Sequence, residues 1–442
     1  MSSEESEFKH TEAGLIPEEW RISTLSELAT KITKGTTPTT IGGRFVDNGI
    51  NFVKVESLND DGTISKEKFM HIDEETNELL SRSKLQINDL LYSIAGTIGR
   101  VSIVTGDILP ANTNQAVAII RPNLGKINLH YLRYALVNPK LKNYLLSKVV
   151  HAVQANLSLT EIGNCPIPIP KPREQQSIAK ILSGLDSKIE LNKQMNKTLE
   201  AIGQAVFRRW FVDFEFPNEE GKPYKSSGGE MDSSDFGEKP HRWNLKPFSE
   251  VIAVNPPRKL EKNVIAKKVE MSDLNPWQPW IESWGKDNYK SGSRFKNGDT
   301  LFARITPCLE NGKTALVSFL GENEVAFGST EFIVLSPKNI RSSYFILYLV
   351  ISRELRGSAV LSMTGSSGRQ RVPNDFFDNF VIAVPPDELL RKYDSFVAPM
   401  FEKITNNTRE SQSLIAIRDN LLPRLMSGKI RVPVSKENME TS

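Results

Sequence analysis

The sequence predicts an α+β protein made of two similar domains joined by two long antiparallel coiled-coil helices, with an internal pseudo-two-fold. Three observations predict it. Gly14, Pro17 and Trp20 return as Gly237, Pro240 and Trp243. Asn88-Asp89-Leu90-Leu91 returns as Gly298-Asp299-Thr300-Leu301, and Ile167-Pro168-Ile169-Pro170 as Ile382-Ala383-Val384-Pro385. Each half then runs into a long helical pattern. A period of more than 200 residues is too long for a solenoid and reads as two copies of one globular domain.

The first copy is expected over 14–170. Short β-like runs (50–55, 89–95, 101–104, 116–120) alternate with helical stretches near 74–83 and 129–149. Pro166 to Pro172 is a stiff extended exit that cannot be helix. A central helix follows over 171–216. Its positions 178, 182, 185, 189, 192, 196, 199, 203, 206 and 210 alternate spacings of four and three, the seam of a coiled coil with a polar middle. A linker rich in Gly, Ser and charge occupies 217–240, and the second copy 241–385. A C-terminal helix over 386–430 carries the same seam 215 residues later, so that Asn192 matches Asn407. About 40 residues rising about 1.5 Å each give a rod of about 60 Å. In an antiparallel pair, Asn192 and Asn407 lie near the crossing and would fix register at some cost in stability. The alternative is that both are solvated where the helices splay.

The chain has 442 residues and a net charge of +3, so no overall basic bias marks a nucleic-acid partner and local patches must do so. The two cysteines, Cys165 and Cys308, lie in different halves, which fits a reducing, cytoplasmic setting. The acidic start is not a signal peptide, and the longest apolar run, near 345–351, is too short to span a bilayer.

Catalytic signatures are missing from the sequence: no phosphate-cradling loop, no GxGxxG, no HExxH, no cysteine cluster and no GxSxG. Asn255-Pro256-Pro257-Arg258 imitates the Asn-Pro-Pro-aromatic loop of adenine methyltransferases. Its fourth residue is Arg, however, and no glycine-rich cofactor loop precedes it. It reads as a Pro-Pro turn leading into a basic loop.

The two-copy plan resembles the specificity subunit of type I restriction-modification systems. So do the openings Gly14-Leu-Ile-Pro-Glu-Glu-Trp20 and Gly237-Glu-Lys-Pro-His-Arg-Trp243, the stretch Ile167–Ala179 with Glu174-Gln175-Gln176, and Leu185–Asn192. Phe207-Arg-Arg-Trp-Phe-Val-Asp-Phe214 and Gly221–Met231 complete the resemblance, which spans nearly the whole chain. The second copy departs from it at Pro385–Arg391. The resemblance implies a non-catalytic subunit that reads double-stranded DNA through two target recognition domains, with the helices as spacers and docking surfaces. Two methyltransferase subunits would carry S-adenosylmethionine chemistry on adenine. Restriction/translocase subunits would add cleavage driven by ATP with Mg. The target would be bipartite and asymmetric. Neither cofactor nor metal is expected in this chain. The rival readings are a protein-binding scaffold of the same fold and a stand-alone adenine methyltransferase.

Reading base edges needs Arg, Lys, Asn, Gln, Ser or Thr on groove-facing loops. The first copy offers Lys34, Thr36, Thr37 and Thr39 in a hydroxyl-rich loop. It also offers Lys54 and Ser57, Arg100, Asn114 with Gln115, and Gln154 with Asn156. The second offers Arg258 with Lys259, Arg304, Lys313, and the run Ser366-Ser367-Gly368-Arg369-Gln370-Arg371. This run is the strongest candidate, because Gly365 and Gly368 permit close approach and two arginines with a glutamine supply forked donors. Trp277, Trp280 and Trp284 read as a packing cluster.

Overall fold

A computed structural model describes residues 8–148, 156–366, 368–373 and 375–432. The chain divides into two compact units, Met1–Ile189 with Ser413–Ser442, and Glu190–Gln412. Each is built on the same plan.

In the first unit a four-stranded antiparallel sheet runs in the order Ala29–Lys34, Val117–Pro122, Leu90–Ser93, Val101–Ile103. A second sheet runs Ala111–Thr113, Ile50–Val53, Met70–Ile72, Phe45–Val46, and its first pair is parallel. The second unit repeats the first sheet as Ile252–Val254, Phe332–Pro337, Thr300–Ala303, Thr314–Leu316. Its other sheet keeps the parallel pair, now Ile265–Val269 beside Ala326–Gly328. The central strands Leu90–Ser93 and Thr300–Ala303 are buried at every residue, which is why they read as continuous apolar runs rather than alternating ones.

Two short helices close each unit: Leu129–Val137 and Pro139–Ser147, then Ser343–Ile351 and Arg353–Leu361. Their starts are set by side-chain caps that accept from backbone N–H groups. Asn128 and Ser342 cap the first of each pair, and Asn138 and Ser352 cap the second.

The first long helix runs Pro172–Phe207 and passes into a π-helical turn at Arg208–Val212. The second runs Asp387–Met426. Within the first unit, Ile178 and Leu182 share a core with Leu422, Leu425 and Met426. Within the second, Leu199 and Phe207 share a core with Tyr393, Val397 and Phe401. In both units the two helical segments run antiparallel. The landmark tryptophans seat on helix ends. Trp20 donates to Glu174 (3.2 Å), which Arg431 also binds at 2.8 Å. Trp243 stacks on Phe216 with centroids 5.6 Å apart, beside Phe211 and Phe214.

The polar middle is buried. Asn192 is 0% exposed, so the splayed, solvated alternative is set aside. The pairing differs from a symmetric Asn–Asn contact, however. The Asn192 amide donates to Glu410 Oε2 (2.8 Å) and Ser411 Oγ (3.3 Å), and reaches only the backbone oxygen of Asn407 (3.4 Å). Asn407 instead donates to Asn196 Oδ1 (2.9 Å). The stagger of one helical turn puts each asparagine opposite a neighbour of its counterpart.

Candidate nucleic-acid interface

In the first unit the hydroxyl-rich loop is docked on a neighbouring turn. A Cβ on Gly35 would lie 1.7 Å from the Thr113 carbonyl oxygen, so only glycine lets the two backbones meet. The contact brings the loop that carries Lys34, Thr36, Thr37 and Thr39 against the turn at Asn114 and Gln115. Thr37 donates to Gln115 Oε1 (2.5 Å), and Arg82 donates to Thr36 Oγ1 (3.3 Å). Thr39 and Gln115 are exposed on this patch. Asn114 accepts from the Ala116 N–H and shapes the turn. Lys54 caps a short 3-10 turn through its backbone, and Asn156 bridges to Ala95. Gln154 lies outside the described residues.

Two first-copy candidates are corrected. Ser57 is fully buried, its hydroxyl directed to the Lys68 carbonyl (3.4 Å). Arg100 grips Asp60 through two nitrogens (2.9 and 3.0 Å) and the Leu58 carbonyl (2.9 Å), so its fork holds a loop rather than facing outward.

The second unit corrects four more. Arg258 binds both oxygens of buried Asp299 (2.8 and 2.9 Å) and Ser336 (3.1 Å). This explains the Asn-Pro-Pro-Arg sequence. Asn255 takes a left-handed φ of 47° and accepts from the Val334 N–H, turning the chain so that Arg258 reaches inward. Arg304 donates to the Val372 carbonyl (2.5 Å) and Lys313 to the Met271 carbonyl (2.7 Å). Arg371 grips Glu331 at 2.6–3.0 Å and donates to the Arg369 carbonyl (3.2 Å). The same guanidinium holds the Glu331 carboxyl below the usual carboxylate range.

Those anchors define the loop they surround. Thr364 and Arg371 exchange backbone hydrogen bonds, the Thr306 N–H donates to the Gln370 carbonyl (3.0 Å), and the Arg369 N–H to the Ser366 carbonyl (3.0 Å). Gly365 (φ 127°) and Gly368 (φ 76°) take conformations that side chains disfavour. Ser366 and Arg369 are left exposed at the tip, with Gln370 half-buried beside them, and Lys259 is exposed elsewhere. Ser367 lies outside the described residues. The bridge Ile305–Arg371 repeats Ala95–Asn156 of the first unit.

Sequence reasoning missed the acidic partners, Asp60, Asp299 and Glu331, that decide which arginines remain outward. Asp299 carried a signal, since it repeats Asp89. The three tryptophans also part company. Trp280 is buried, Trp284 stacks on Phe319 (4.1 Å between centroids), and Trp277 is 66% exposed.

Among the described residues no cluster of His, Cys, Asp or Glu could hold a metal, and no helix is long and apolar enough to cross a membrane.

The model of the type I restriction modification DNA specificity domain matches twice, at residues 17–201 and 240–420. The type I restriction enzyme MjaIX specificity subunit of Methanocaldococcus jannaschii is 27% identical over 97% of both chains. The HindI specificity subunit of Haemophilus influenzae is 24% identical over 84% of this chain and 93% of its own. In fold, the chain is similar to the type I S subunit of M. genitalium, with a TM-score of 0.54 at 15% identity, covering 92% of this chain and 96% of that one. The chain belongs to the type I restriction-modification DNA specificity family and carries that family's domain twice.

Proposed function

We propose that this chain is the sequence-specific DNA-recognition subunit of a type I restriction-modification complex and is itself non-catalytic. It reads a bipartite, asymmetric target in double-stranded DNA. Two methyltransferase subunits methylate adenine there using S-adenosylmethionine, and restriction/translocase subunits act with ATP and Mg. The observation that carries the reading is the specificity domain present twice, bearing two unlike sets of outward polar residues. In the first unit these are Thr39 and Gln115 on a docked turn, with Lys54 at a neighbouring one. In the second they are Ser366, Arg369 and Gln370 on a glycine-hinged loop, with Lys259. Such side chains match the donor and acceptor patterns of major-groove base edges, with the lysines suited to phosphates.

The test is binding of the chain, with and without a methyltransferase partner, to random and to methylation-selected duplex at two salt concentrations. A steep fall of affinity with salt is expected for both. A gap of about 10³-fold or more should separate selected from random duplex. Binding without salt dependence would point to protein partners instead. Methyl transfer by the isolated chain would overturn the non-catalytic reading.

A further inference from the structure

Three backbone segments of the first unit meet at one end of its first sheet. Strands Ala29–Lys34 and Leu90–Ser93 run the same way, each antiparallel to Val117–Pro122. The segment that follows Lys34 and the turn that precedes Val117 therefore emerge at the same end. The third segment is the 3-10 turn Ser81–Ser83. A buried polar network fixes it there. Ser83 donates to Asn112 Oδ1 (2.7 Å), and the Asn112 amide donates to Asn77 Oδ1 (3.0 Å) and to the Leu80 carbonyl (3.2 Å). Asn112 is fully buried and sits in the strand Ala111–Thr113, which leads into Asn114 and Gln115. A satisfied buried network of this kind makes its surroundings rigid.

Arg82 projects from the turn. Its side chain is exposed and rests on the loop after Lys34, donating from one nitrogen to the Lys34 carbonyl (3.4 Å) and to Thr36 Oγ1 (3.3 Å). Both bonds are long and both acceptors neutral, so most of the donor fork stays free. Four other arginines of this domain, Arg44, Arg100, Arg121 and Arg133, each grip an aspartate. Arg82 grips no carboxylate among the described residues. Nor does Lys34, nor Lys31, which donates to the Arg82 carbonyl (2.7 Å). Three uncompensated cations at one sheet end, in a chain of net charge +3, form the kind of local basic patch that DNA binding needs. Gln115 adds donors, because Thr37 occupies its Oε1 and leaves its amide N–H groups.

We infer that Arg82 reads a guanine in one half of the target, with Lys31 and Lys34 on the flanking phosphates. The inference rests on the DNA-recognition function proposed above. A guanidinium only donates, and guanine presents two acceptors, N7 and O6, side by side in the major groove. Adenine sets a donor beside its N7 and would oppose one donor with another. The role belongs to the first unit alone. The Leu85 N–H donates to the Ala111 carbonyl as Phe295 pairs with Ala326, so the place of Arg82 falls on Gly292, which has no side chain to present.

The experiment uses the full chain with its methyltransferase partner. Methylome sequencing gives the wild-type target. Binding is then measured to duplexes of that sequence with each position of each half replaced in turn, and to random duplex. R82A is expected to lose about tenfold in preference at one guanine of one half, with the other half and the melting temperature unchanged. R82K keeps the charge but lacks the planar fork, so it should lose the same preference while holding its affinity for random duplex. Preference retained in R82K, or a uniform loss at all positions in R82A, makes Arg82 a phosphate contact and overturns the inference. Blurring of several positions with a lower melting temperature marks a brace for the loop and overturns it too, as does an R82A preference equal to the wild type. A wild type that does not distinguish target from random duplex fails at the earlier step, overturning the DNA-reading function and this inference with it.

Discussion

Asp89 and Asp299 hold the same place in the two units and are served by different arginines. Each is fully buried and accepts a backbone N–H three residues upstream, from Gln86 and Lys296. Arg121 completes the first pair at 2.7 and 2.8 Å. Its counterpart in the second unit is Ser336, and Arg258 arrives from another loop instead. The repeated aspartate was legible in the sequence, but its partner was not, because the arginine comes from a strand in one unit and from a loop in the other. D299A would strand a guanidinium that is only 16% exposed. A loss of about 3–5 kcal/mol is expected in urea unfolding. The loop proposed to read DNA gives the opposite case. R369A or Q370A should leave stability unchanged, cost about 1–3 kcal/mol in binding and relax preference at one base. R371A should loosen the whole loop, blurring several positions together and lowering the melting temperature. Glu200 gives a pH signature. Its carboxyl rises from 4.5 to about 7 on folding. The unfolded chain therefore releases this proton first, and the group's stabilising share, complete below about pH 4.5, is gone above about pH 7. E200Q should melt above the wild type at pH 8, by about 1 kcal/mol after allowance for partial solvent exposure. The difference should narrow toward pH 5, and a constant difference across that range would refute the assignment.

At the scale of elements, both long helices were legible because a heptad seam writes itself directly into residue spacing. The pairing across the seam was not. Period fixes which face is buried, whereas stagger depends on side-chain volumes along both helices. The observed stagger changes what substitution does. Asn192 has a buried Oδ1 without a partner, so N192L removes one orphan while freeing Glu410 and Ser411. It should be near neutral. N407L strands the Asn196 amide oxygen in a site 2% exposed and should cost about 1–3 kcal/mol by thermal melting. Equal losses for the two variants would mean a symmetric pair. Gly203 on the same seam marks a close approach. A Cβ there would stand 2.3 Å from the hydroxyl of Tyr348, which donates to the Glu200 carbonyl (3.2 Å).

At the scale of the whole molecule, what the two units share and where they differ separate cleanly. They share the order of the first sheet, helix caps, the buried aspartate and the bridges Ala95–Asn156 and Ile305–Arg371. They differ in what faces outward. The first unit uses the segment after its first sheet strand, 34–40, as an exposed patch against Gln115. The second turns the matching segment, 255–258, inward to supply Arg258 to Asp299, and carries exposed Ser366 and Arg369 on its clipped loop. Two domains that present different side chains are expected to prefer different bases, since base discrimination rests on the particular donors and acceptors presented. The methylated target should therefore have two unrelated half-sequences, neither the reverse complement of the other. R369A should change one half and leave the other as it was. Single-molecule methylome sequencing of cells carrying the wild-type or variant gene with its methyltransferase partner measures both. A palindromic or uninterrupted motif, or a variant that shifts both halves together, would show that the two units do not read independently.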